Sequence, residues 1–170
     1  MFSEGYPCSF EVAHERGYTF KLLDSVIQVN EEQKQRMVAK IREKVGDLRG
    51  KTIGVLGLSF KPNTDDIRES SSIAIIQALL ALGAKVKAFD PVAMDESKKV
   101  LPELEYGEDA YHVAKGCDAL VLATEWNQFR RLDLQHIKGL LKNPIFIDLR
   151  NVYDPDQMKR LGFNYCGVGR

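Results

Sequence analysis

Five charged residues, Lys61, Asp65, Asp66, Arg68 and Glu69, are crowded into GLSFKPNTDDIRESSS at positions 57–72. Apolar runs flank the segment, Ile53 to Leu58 before it and Ile73 to Leu82 after it. A connection between a strand and a helix needs only a few residues, so this one is long as well as charged. Lysine and arginine at such a place suit an anionic ligand, which they bind through charge-assisted hydrogen bonds. Gly54 and Gly57 are spaced G-x-x-G but read as lying within the strand, and no glycine follows them in the loop. The G-x-G-x-x-G turn, in which backbone amides wrap a pyrophosphate, is therefore absent here. Two uses of the charges stay open: Lys61 and Arg68 holding a phosphate, or all five pairing with one another on a solvated loop.

Other polar residues fall where apolar runs end: Asp90, Thr124, Glu125 and Arg150. Asp90 stands where a dinucleotide-binding sheet keeps the acid that holds a ribose, but Asp90-Pro91 is also an ordinary turn, and without the glycine loop the turn is the favoured reading. Trp126 either stacks on a base or packs over the sheet, with packing favoured. Arg150 is an anion ligand or a partner for Asp148 or Asp154. His14, His112 and His136 have no ligand spacing. Cys8, Cys117 and Cys166 form neither a disulfide framework nor a zinc site, and read as reduced thiols of a cytoplasmic protein. Spacing alone yields no nucleophile–base pair, no paired carboxylates and no metal cluster. It describes binding groups without catalytic apparatus.

The elements that must position these groups alternate. KTIGVLGLS reads as a buried strand, and SSSIAIIQALLALG as a helix with an N-cap among Ser70 to Ser72 and a stop at Gly83. AKVKAFDP is a second strand, short helices follow at 95–101 and 109–115, and CDALVLAT, NPIFIDLR and FNYCGVG supply three more strands. Near-continuous hydrophobicity suits parallel strands covered on both faces. The expected fold is α/β, a Rossmann-like doubly wound parallel sheet. In such a sheet the loops after the strands emerge together at the carboxyl edge, which is where a ligand binds. A long helical segment precedes it, YTFKLLDSVIQVNEEQKQRMVAKIREKVG, as one helix or as two with a capping box at Asn30 and Gln33. It is expected to pack on the α/β domain, on a partner chain, or on a further domain. Gly46 to Gly50 is the natural boundary, giving 1–49 as an N-terminal remnant with the helical segment and 50–170 as the α/β domain.

Composition fits that size of fold. The 170 residues carry 24 basic and 24 acidic side chains, a formal net charge of zero. The balance argues against a nucleic-acid or anionic-membrane partner. No apolar stretch is long enough to span a bilayer, and the N-terminal residues show no secretory signal.

Taken together, GYTFKLLDSVIQVNEEQK, GKTIGVLGLSFKPNTDDIRESSS, GAKVKAFDPVAM, TEWNQF, IDLRNVYDP and GFNYCGVGR resemble, in order, the nucleotide-sugar 6-dehydrogenases, from about Gly17 to Arg170. The resemblance implies a central helix followed by the C-terminal domain that binds the UDP-sugar. It implies that Phe60 and Lys61 touch the nucleotide sugar, that Arg150 in Asp-x-Arg-Asn contacts the substrate, and that Arg68 reaches toward NAD. The loop would then be long because it serves a nucleotide on each side of a cleft. The implied reaction is the NAD-dependent oxidation of UDP-glucose to UDP-glucuronate through a cysteine thioester, by a homodimer joined through the helical segment. Departures accompany it. The N-terminal NAD domain of the family has no counterpart, and counting back from Lys21 puts the family's catalytic cysteine at Met1. Cys8 is out of register, so no catalytic residue is assigned, and the first dozen residues are expected to be a truncation point or altered start. Position 149 is Leu where many members have Gly. A stand-alone binding or dimerisation module, or a dehydrogenase for another UDP- or GDP-sugar, is the alternative.

Overall fold

A computed structural model describes residues 20–169. Two compact units are present, Met1–Arg36 and Met37–Arg170. Expectations for Met1, Cys8 and His14 lie outside the described residues. A single helix, α1 (Lys21–Val45), runs through the leading segment, so the interruption at Asn30 does not occur. Asn30 is followed by strong helix formers, Glu31 to Lys34, and i,i+3 and i,i+4 contacts carry the helix across (Lys34 to Glu31 at 2.6 Å, Gln28 to Glu32 at 3.0 Å). In the first unit Leu22, Val26, Ile27 and Val29 are exposed.

The second unit is a six-stranded, wholly parallel sheet in the order β3-β2-β1-β4-β5-β6. Its strands are β1 (Thr52–Leu56), β2 (Lys85–Phe89), β3 (Glu105–Tyr106), β4 (Ala119–Leu122), β5 (Ile145–Asp148) and β6 (Asn164–Gly167). Five were expected. The sixth, β3, is a two-residue edge strand too short to leave a pattern in the sequence. Side chains alternate between faces along each strand. Ile53 and Val55 of β1, Ala119 and Val121 of β4 and Ile147 of β5 enter one apolar cluster. Leu56, Leu120, Leu122 and Phe146 enter the other.

Helices cover both faces, as the unbroken apolar runs require. The first cluster takes Ile41 from α1, with Met37, Val38 and Val45 beside it, and Ile73, Ile75, Ile76 and Leu79 from α2 (Ser71–Ala81). Met94, at the start of α3 (Met94–Val100), packs there too. Of the three settings open to the helical segment, its Met37–Val45 part takes the first and packs on the α/β domain. The second cluster takes Ala110 and Val113 from α4 (Ala110–Ala114), Leu134 and Ile137 from α5 (Leu134–Leu140) and Met158 from α6 (Pro155–Arg160). Gly54 is fitted to this cover: a Cβ there would lie 2.8 Å from Leu120 Cδ1 and 3.0 Å from Val113 Cγ1.

The change of face happens between β1 and β4, whose connections leave in opposite directions. That is the topological switch point, and a crevice opens at the carboxyl ends of these two strands.

Candidate functional site

Gly57 starts the site. It is the first residue past β1, not part of the strand as its spacing suggested, and it adopts φ +94°. A Cβ on it would meet Thr124 Cβ at 2.5 Å and Thr124 N at 2.6 Å. Glycine is needed both for the left-handed turn and for the close approach of the loop after β4.

The next two residues are tied down on every side. The amides of Leu58 and Ser59 donate to Asp90 Oδ2 at 2.8 and 3.0 Å, and Ser59 Oγ donates to the same oxygen at 3.0 Å. The Leu58 carbonyl accepts from Ser70 Oγ at 2.7 Å, and the Ser59 carbonyl from Thr124 Oγ1 at 2.8 Å. Ser70 is the N-cap of α2 by position, but its hydroxyl caps nothing in its own helix. Trp126 Nε1 donates to both Ser59 Oγ and Asp90 Oδ2 at 3.1 Å. The indole is buried, in agreement with the packing reading.

Asp90 is thus more than a turn residue. Its Oδ1 does close the turn, accepting from Val92 N and Ala93 N at 3.0 and 2.9 Å. Its Oδ2 gathers the loops after β1 and β4. Burial is the largest influence on this carboxyl and pushes its pKa up, but the amide bonds from Ala93, Val92, Leu58 and Ser59 together bring it below the ordinary range. The group stays ionised without a cation. A polar residue within the run LGLS and a tryptophan two places past Thr124 were the only signals of this arrangement in the sequence.

Beyond Ser59 the loop turns outward. Phe60 N donates to the Asp66 carbonyl at 2.8 Å, closing the arm on itself. Phe60 is 45% exposed although aromatic. Lys61 is exposed, and among the described residues its ammonium has no hydrogen-bond or ion-pair partner. Arg68 is different: its Nε and Nη2 donate to Asp66 Oδ1 and Oδ2 at 3.1 and 3.0 Å. This bond lowers the Asp66 pKa. The loop therefore pairs some of its charges internally and leaves Lys61 to the solvent.

Arg150 leaves β5 on the same edge. Its Nε and Nη2 form a fork on the carboxylate of Glu125, with Nη2 to Oε1 at 2.9 Å. The expected partners were Asp148 or Asp154. Asp148 instead accepts from the Arg150 backbone amide at 3.0 Å, and from Tyr153 N and the Tyr165 hydroxyl at 3.0 and 2.9 Å. Asp154 caps α6 through Gln157 N. The strand order decides this, because β4 neighbours β5 and brings Glu125 alongside. The Arg150 hydrogen bond is the main cause of a lowered Glu125 pKa, and the reciprocal bond raises that of Arg150. A guanidinium has five N–H donors in a plane, so the fork fixes the plane of Arg150 and leaves Nη1 to meet an anion.

These bonds join three loops at one sheet edge: Ser59 to Thr124 and Trp126, then Glu125 to Arg150. The edge thereby presents an exposed aromatic ring, a lysine and an oriented arginine, which suits a phosphorylated ligand with an apolar face. His112 and His136 are exposed; His136 stacks on Tyr111 with centroids 4.9 Å apart. Cys117 and Cys166 are buried free thiols, and burial pushes Cys117 up to about 11. Among the described residues no cluster of His, Cys, Asp and Glu could hold a metal ion. None of the described helices is long and apolar enough to cross a membrane.

Residues 54–155 match the model of the UDP-glucose/GDP-mannose dehydrogenase family, UDP binding domain. The chain is 42% identical over 161 residues to a UDP-glucose 6-dehydrogenase of Rhizobium meliloti, covering 94% of this chain and 37% of that protein. It is 41% identical to UDP-glucose 6-dehydrogenase TuaD of Bacillus subtilis, covering 35% of it. A solved UDP-glucose dehydrogenase from Pyrobaculum islandicum superposes with a TM-score of 0.79 at 30% identity, over 96% of this chain and 35% of that one. A GDP-mannose dehydrogenase from Pseudomonas aeruginosa shares the fold with a TM-score of 0.74 at 22% identity. The chain spans a little over a third of the length of these relatives.

Proposed function

The chain belongs to the UDP-glucose/GDP-mannose dehydrogenase family, and from that membership we propose that it is the nucleotide-sugar-binding part of an NAD-dependent UDP-glucose 6-dehydrogenase. Residues 50–170 bind the UDP-sugar, and 1–49 hold the helical segment. Lys61 and Arg150 are the contacts to the diphosphate, and Phe60 packs against the nucleotide sugar. Arg68 lies on the other side of the loop and faces NAD. The observation that carries this reading is the contrast within one loop. Its base is immobilised by Asp90, Thr124, Ser70 and Trp126, while Phe60 and Lys61 stand exposed immediately beyond.

The amides of Leu58 and Ser59, which stand where a dinucleotide-binding sheet meets a pyrophosphate, donate here to Asp90. We therefore assign the cofactor mainly to another part of the protein. The residues here bind and orient: the Arg150 fork on Glu125 sets the direction from which phosphate is met, and Lys61 supplies a second cation without a fixed angle. The working protein is a cytoplasmic homodimer joined through the helical segment. Supporting this are the exposed Leu22, Val26, Ile27 and Val29 on α1 and the two buried free thiols.

Titration of UDP-glucose into the isotopically labelled 170-residue chain, followed by amide shifts, tests the reading. A charge-assisted hydrogen bond to phosphate contributes about 1.5–3 kcal/mol, and this edge alone covers only part of the nucleotide. The dissociation constant is expected on the order of 1 mM, about −4 kcal/mol. Lys61→Ala and Arg150→Ala should each weaken it, and Arg68→Ala should leave it unchanged. A response lost in Arg68→Ala but kept in the other two reverses the assignment of the two sides of the loop.

A further inference from the structure

The loop that carries Phe60 and Lys61 is organised by a carboxylate that is itself no part of the proposed ligand contacts. Asp90 is wholly buried, and every donor around it is neutral. They are two consecutive amides past β1, the Ser59 hydroxyl, the Trp126 indole N–H, and the amides of Val92 and Ala93. Converging neutral N–H and O–H donors are the composition of an anion site.

The place of this site in the fold matters. In a dinucleotide-binding sheet the turn after the first strand and the N-terminus of the following helix face the crevice and receive the pyrophosphate. Here the turn is Gly57 to Ser59. It lies against the start of α2, because Ser70 Oγ donates to the Leu58 carbonyl. The donors are therefore where a bound phosphate would find them, and a side chain from the end of β2 has taken them.

We infer that Asp90 is a resident anion: its carboxylate occupies the phosphate position of the switch-point crevice, closes this sheet to a dinucleotide, and directs the loop so that Phe60 and Lys61 project toward the nucleotide sugar. Only the last clause rests on the proposed function. Asp90 is a positioning residue, acting through the loop and never on the ligand.

Trp126 is the only tryptophan, so its indole N–H resonance and its fluorescence report on Asp90 directly. Asp90→Gly removes the carboxylate and leaves room among the donors for formate. Sodium formate added to that variant should return the Trp126 indole and the Leu58 and Ser59 amides to their parental positions. The response should saturate, with half-effect at roughly 10–100 mM, while sodium chloride at equal concentration and the parent chain give none. UDP-glucose affinity, about tenfold weaker in the variant, should recover in parallel. If the glycine variant does not fold, Asp90→Asn decides. It keeps the volume but sets an NH2 group against donors, so its loop amides should shift and its UDP-glucose affinity fall at least fivefold.

A folded glycine variant with parental loop resonances overturns the inference, as does formate acting no better than chloride. An asparagine variant that binds UDP-glucose like the parent overturns it too. If formate restores Trp126 but the parent chain binds no UDP-glucose, the functional reading fails and the resident anion stands. If the parent binds and formate does nothing, the inference alone fails.

Discussion

Two buried aspartates stand at opposite ends of the sheet and are held in opposite ways. At the carboxyl edge Asp90 accepts from six neutral donors, most of them backbone amides at 2.8 to 3.0 Å. At the amino edge Asp118, just before β4, accepts from one amide, Thr52 N at 2.9 Å. Its other contacts are lysines, Lys51 at 3.4 Å and Lys142 at 3.5 Å, whose side chains are 41% and 55% exposed. Burial pushes both carboxyls up and the bonds they accept bring both down. What differs is the cost of organising the donors. Backbone amides within a folded turn are already ordered, whereas a lysine must give up side-chain freedom and is screened by water. Rigidity at the carboxyl edge therefore comes from dipoles, and this lets the cations there face outward to a ligand.

That contrast can be broken at either end. The largest effect is expected for Asp90→Ala, which leaves several buried donors without an acceptor. A single unsatisfied buried group costs about 1–3 kcal/mol, so a loss of about 3–5 kcal/mol is expected in denaturant unfolding. A loss below 1 kcal/mol would place Asp90 on a par with Asp118. Gly57→Ala comes next, since it strains a left-handed turn and drives a methyl group into Thr124. About 2–4 kcal/mol is expected, with amide shifts spreading to the loop after β4. Smallest is Asp118→Asn. The Thr52 amide keeps an acceptor and two solvent-screened lysine contacts are lost, which is worth about 1 kcal/mol or less. High salt should mimic that substitution and leave the Asp90 cluster untouched.

Much of this fold was legible in the chain itself. Unbroken apolar runs such as CDALVLAT announced parallel strands covered on both faces, and the Ser70–Gly83 stretch announced its helix, observed at Ser71–Ala81. Parallel strands send all their following loops to one edge, so the sequence alone places Lys61, Glu125 and Arg150 on the same edge. Helices α5 and α6 and the strand Glu105–Tyr106 went unread because each is short and takes its stability from tertiary packing more than from its own pattern.

What the sequence determined was therefore the kind of sheet, its covered faces and the edge where polar tips collect, since these follow from periodicity within a few residues. Only the tertiary structure decided the partnerships. Arg150 meets Glu125, 25 positions away, because β4 lies beside β5. Asp90 meets Trp126, 36 positions away, because β1 separates β2 from β4 by a single strand. Gly57 turns at φ +94°, in a place where any side chain would collide with Thr124. Such contacts depend on strand order, and strand order is chosen by the packing of the whole domain, which no local stretch of residues records.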